Sequence, residues 1–203
     1  MKKSTQNLAF YVPYILWILL FVIAPMVLIV YQSFFNIEGD LTLSNYATYF
    51  QSGTYIMMTI NSVWYAFLIT AFTLLISYPA AYLLHYAKHK ELWLLLIILP
   101  TWINLLLKAY AFIGIFSQDG GINTFLRTVG LGTHQFLFTD FSFIFVASYI
   151  EIPFMILPIF NGIEELNEGL VNASRDLGAK WWQTFTRVIL PLTMSGVKAG
   201  VQA

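Results

Sequence analysis

Residues 172–191 read Asn-Ala-Ser-Arg-Asp-Leu-Gly-Ala-Lys-Trp-Trp-Gln-Thr-Phe-Thr-Arg-Val-Ile-Leu-Pro, a polar and charged island late in an otherwise greasy chain. The chain around it is 59% apolar, 18% aromatic and only 10% charged, with a mean hydropathy of +0.72. A soluble domain carries about 25% charged residues, so the solvent for most of this surface is lipid. Ten cations balance ten acids, which argues against nucleic acid as a partner. Cysteine is absent, excluding disulfides and thiolate metal sites.

Working outward, the apolar runs predict an all-α integral membrane protein forming one domain, 1–203, with spans at about 10–33, 60–84, 92–116 and 141–163. A fifth span starts at 188–203, too short there to cross a bilayer core of about 30 Å. No charge occurs from Ser4 to Ile37. The Phe10–Tyr31 run is about 33 Å of helix, longer than a signal-peptide core, and reads as an uncleaved first span. Pro25, Pro79, Pro100, Pro153 and Pro158 fall within spans, where a neighbouring helix or side chain can meet the freed backbone groups. With the N-terminus inside, the inner segments hold Lys2, Lys3, Lys88, Lys90, Arg175, Lys180 and Arg187, whereas the outer loops hold only Arg127. That bias places the 164–187 loop in the cytoplasm.

Within that loop Asn167 is a good N-cap with Glu168 in the first turn, predicting a helix over Gly169–Leu177 that Gly178 ends. A second short helix, Lys180–Arg187, leads into the fifth span, with Pro191 in its first turn. On composition alone, a surface-lying amphipathic loop anchored by Trp181 and Trp182 competes evenly with a docking knob. The spacing from Gly178 to Leu190-Pro191 shifts the balance towards docking. The segment resembles the cytoplasmic coupling loop of ABC-importer permeases: Glu-Ala-Ala, three residues, Gly, nine residues, Ile-x-Leu-Pro. Ala173, Gly178, Leu190 and Pro191 are in register, Val188 fills the Ile position, and Asn172 and Ser174 replace the usual Glu and Ala. The likeness extends to Pro153–Pro158, Gly162–Leu166, Asn172–Ala179, Gln183-Thr184-Phe185, Asn61-Ser62 and Leu99-Pro100, which are similar to spermidine/putrescine importer permeases.

That resemblance implies a type I ABC-importer permease fold in a bacterial inner membrane, N-terminus cytoplasmic, and a non-catalytic subunit for polyamine import. It implies as partners a second permease, two copies of a cytoplasmic ATP-binding subunit and an extracytoplasmic substrate-binding protein. It assigns ATPase coupling to the 164–191 loop, here Asn172, Ala173, Ser174, Gly178, Leu190 and Pro191. The family's permease has six spans, so a truncated form with four full spans and the start of a fifth is expected, which puts independent transport in question. Sulfate, phosphate or iron stay open as cargo, since the loop reports the motor and not the solute. An ATP-independent carrier or channel is the reading from another class.

Glu151 lies at depth in the fourth span, where a carboxylate is costly and a functional candidate by default. It reads either as a path residue for an amine, flanked by the aromatic faces of Trp102 and Tyr110, or as a structural partner of Lys108. Asp119 and Asp140 read chiefly as solvated outer-loop charge. His85 and His89 have helical metal-ligand spacing but lack a third ligand, so no metal site is expected. Asn61 and Asn104 are candidates for hydrogen bonds between helices. No Gly-rich phosphate loop and no nucleophile–base pair occurs, so the chain is expected to bind no cofactor, with ATP consumed by the partner.

Overall fold

The structure, a computed structural model, describes residues 11–202; Phe10, Lys2 and Lys3 of the readings above, and Ala203, lie outside the described residues. Among the described residues the chain is helical without a named strand. It divides into two compact units, with the boundary after Ser62.

In the first unit, α1 (Tyr11–Ser33) is 23 residues long and none of its apolar window is buried within the chain. Pro25 leaves its mark upstream: Leu19–Ile23 widens into a π turn in which the Ala24 N–H reaches back to the Leu19 carbonyl. A proline ring collides with the carbonyl four residues before it, and one wider turn moves that carbonyl aside. After α1 the chain turns tightly and enters α2 (Ser44–Gln51). The Asn45 amide donates to the carbonyls of Ser33 and Phe35, at 3.1 and 2.8 Å, closing the end of α1.

The long α3 (Gly53–His85) has 33 residues, about 50 Å at the usual rise, and passes into the second unit. There its C-terminal half packs on α7 (Asp140–Glu164) and on α10 (Met194–Gln202). Tyr78, Ala81 and Leu84 meet Met155, Ile156, Ile159, Phe160 and Ile163, with Val197 completing the core. These α7 positions recur every three or four residues, the stripe a helix needs to bury one side. The α7–α10 crossing is close because two glycines face each other. A Cβ on Gly196 would lie 2.5 Å from the Pro158 carbonyl oxygen and 3.3 Å from the Gly162 Cα.

The 92–116 stretch corrects an expectation, for it is not one continuous span. It is α4 (Lys90–Ile98), a 3-10 turn Leu99–Trp102, and α5 (Leu105–Phe116). The arms Lys90–Trp102 and Leu105–Thr128 meet at 93°. Pro100 removes a helical donor, Ile103 is extended, and the Asn104 side chain accepts from the Leu106 N–H at 2.8 Å, starting a new helix. Asn104, expected to bridge helices, caps its own. Beyond α5 lies α6 (Gly121–Thr128), held to the following loop by the buried Asn123, which pairs with Ser117 and with the backbone of His134. The other long helices match the sequence: α3 and α7 enclose the 60–84 and 141–163 windows, and α1 covers 10–33 from Tyr11 onward.

Candidate functional site

The loop after α7 folds as α8 (Glu168–Asp176) and α9 (Trp181–Thr184), joined by a tight turn. Asn167 caps α8, its side-chain oxygen accepting from the Gly169 N–H at 2.8 Å. At the far end Gly178 has φ +81°, its N–H donates to Arg175 O and the Ala179 N–H donates to Ser174 O. This paired closure satisfies the last helical carbonyls and requires the left-handed residue that glycine supplies. The Gln183 side-chain oxygen accepts from the Lys180 N–H at 2.9 Å to open α9. Both ends of α8 and the start of α9 are thus closed, and α9 runs on into the next helical turn.

One polar bond ties the pair together. Ser174 Oγ and the buried Thr184 Oγ1 are 2.9 Å apart, while Ser174 also donates to the Val171 carbonyl. Ser174, where the family pattern has alanine, therefore works as a strut between α8 and α9. Asn172, Ala173 and Gly178 stay exposed, as does Leu177, at 90%. Leu190 packs against the hydrophobic core of the helices instead, and Pro191 follows a second π turn, Phe185–Ile189, in which the Leu190 N–H reaches the Phe185 carbonyl. The helix that carries the expected fifth span, 188–203, starts upstream of it, running from Trp181 through Leu192 and resuming at Met194. The six motif residues do not form one cluster. Three face outward, one braces, and two shape the helix that carries the loop.

A charge cluster missed in the sequence sits at the root of α8. Glu164, the last residue of α7, places Oε1 2.6 Å from His85 Nδ1 and Oε2 2.5 Å from Lys90 Nζ. Glu168 approaches the other ring nitrogen of His85 at 3.9 Å. Four segments meet here: the ends of α3 and α7 and the starts of α4 and α8. A carboxylate at a helix C-terminus opposes the dipole and calls for cations, a signal the sequence offered at Glu164.

The proposed path residues are dispersed. Glu151 is exposed on α7, and among the described residues no ion pair joins it to Lys108. The geometry explains this. Phe116 of α5 packs on Phe145 of α7, and Phe112 packs on Tyr149 with the rings 5.1 Å apart. Glu151 lies two residues on, about 200° around the helix from that contact. Trp102 and Tyr110 are 80% and 69% exposed, pointing away from this packing. At the opposite end of α7, Asp140 accepts a 2.7 Å bond from the Tyr65 hydroxyl, and exposed Asp119 lies 3.6 Å from Arg127.

No protein-family model matches the chain. Over 194 residues it is 36% identical to the spermidine/putrescine transport system permease protein PotB of Haemophilus influenzae, covering 91% of this chain and 68% of that one. The PotB protein of Escherichia coli K12 is also 36% identical, with 91% and 70% covered. Among solved structures, a bacterial alginate ABC transporter in complex with an alginate pentasaccharide-bound periplasmic protein superposes with a TM-score of 0.78. It is 23% identical, over 95% of this chain and 68% of its own.

Proposed function

The chain belongs to the spermidine/putrescine permease family of ABC importers, and from that premise we propose that it conducts polyamines inward under the drive of a separate ATPase. In this reading the α8–Gly178–α9 knob projects into the cytoplasm and seats in the ATP-binding subunit. A second permease completes the path, and an extracytoplasmic binding protein delivers the amine. The observation carrying the reading is the knob itself: stiffened by caps at both ends, braced by Ser174–Thr184, and left exposed. Force on α8 would pass through Glu164, His85 and Lys90 into three membrane helices.

Residues 1–203 contain no cysteine, so a single introduced thiol is unique within them. Leu177→Cys and Phe138→Cys sit at positions 90% and 94% exposed. In sealed right-side-out vesicles holding the complete importer, an impermeant maleimide is expected to label Cys at 138 and to reach Cys at 177 only after the membrane is opened. The reverse pattern would invert the topology and remove the motor from this loop. Spermidine uptake by vesicles of the unsubstituted importer is expected to need ATP on the side of residue 177.

A further inference from the structure

At the end of α7 farthest from the knob, an aromatic cavity of about 540 Å³ opens beside a carboxylate. Its walls include Tyr65, Phe112, Phe116, Phe138 and Phe143, and Asp140 stands at its edge. The Tyr65 hydroxyl donates to one Asp140 oxygen at 2.7 Å, which fixes the carboxylate's orientation and leaves its second oxygen for another donor. Tyr65 in turn packs edge-on against Phe143, with ring centroids 5.5 Å apart. Phe138 has φ +60°, a conformation a bulky side chain rarely adopts, and its ring is 94% exposed at the cavity mouth.

We propose that this cavity is a way station for an aliphatic amine, with one ammonium on Asp140 and the methylene chain along the phenyl walls. The inference deepens the importer reading above and rests on it for the identity of the amine. Aromatic faces attract cations, and a carboxylate adds a charge-assisted hydrogen bond. An inorganic cation would gain little from apolar walls that cannot replace its water. An anionic cargo would meet Asp140 with repulsion. The volume falls within the usual range for small-ligand pockets, roughly 300–1,000 Å³. Glu151, by contrast, does not line this cavity, so the station belongs at Asp140.

The test separates the station from the cargo. The complete importer, reconstituted in nanodiscs without its binding protein, is titrated with radiolabelled spermidine. Saturable binding is expected, weakened roughly fivefold by Asp140→Asn and by Phe138→Ala, the scale of a single ion-pair or cation–π contact. Both variants are expected to co-purify the ATPase subunit in the wild-type ratio, which confirms assembly. Equal spermidine binding by wild type and both variants would overturn the station. So would a defect seen only in association of the binding protein, with amine binding intact. Should proteoliposomes of the wild-type importer with its binding protein take up no spermidine at all, the cargo reading fails instead, independently of the nanodisc result.

Discussion

Gly178 shows how one residue's backbone can matter more than its size. A Cβ built there meets nothing within 4 Å, so space is not the constraint; φ +81° is. An L side chain held in that region costs about 1 kcal/mol, less for asparagine, which tolerates it. Gly178→Ala is therefore expected to loosen the α8–α9 turn and reduce co-purification of the ATPase subunit, with Gly178→Asn retaining more. Equal retention by both would show that the left-handed turn is not what the partner needs. This residue was legible in the sequence because a glycine after a capped amphipathic stretch has a specific job. Glu151 and Lys108 were not legible in the same way. Both fall within expected spans, with Lys108 nearer the outer side, but which side of a helix a residue takes depends on contacts such as Phe112 against Tyr149, and spacing along one helix says nothing of its neighbour.

Among elements, α7 and α10 touch through backbone where Gly196 fits over Pro158 and Gly162. In lipid there is little hydrophobic drive between helices, so close van der Waals approach carries the association. Gly196→Ala places a methyl 2.5 Å from a carbonyl oxygen, and overpacking of this kind costs about 1–3 kcal/mol. The solubilised importer is expected to melt at a lower temperature with Gly196→Ala, and by less with Gly162→Ala, whose Cβ would meet its nearest atom at 3.2 Å. Helix existence and approximate limits were readable from apolar runs. The two π turns were half readable: prolines at 25 and 191 announced a disturbance, but not that the chain would absorb it by widening the turn just upstream. The division of 92–116 was concealed because Leu99–Ile103 carries no charge and lies between strongly apolar stretches. Pro100 and Asn104 were both noticed, yet only together do they stop one helix and start another.

For the whole molecule, the Glu164 cluster matters more as a mechanical joint than as a source of stability. Glu164 and Lys90 are 29% and 39% exposed, so their pairing contributes roughly 0.5–1 kcal/mol to folding. Its geometric effect is larger, since it binds α3, α4 and α7 at the root of α8. Glu164→Lys is expected to leave ATPase assembly intact while separating ATP hydrolysis from spermidine uptake. Lys90→Glu on top of it is expected to restore part of the coupling, read as amines moved per ATP. A swap no better than the single variant would mean that the joint transmits nothing. Sequence reading treated His85 and His89 as a pair on one helix and so looked past Glu164, 79 residues away, which only the fold brings to His85.

The right-angle bend at Pro100–Asn104 has a further consequence, for hydration. Irregular backbone is tolerated at bilayer depth only against protein or water, and here Trp102 is 80% exposed on the chain's own surface. If that side faces a wet crevice, amide protons from Thr101 to Leu105 should exchange with deuterium within seconds, while those of Leu94–Ile98, a turn away, stay protected for hours. Slow exchange at both would instead mean that a neighbouring subunit seals the bend and keeps it dry.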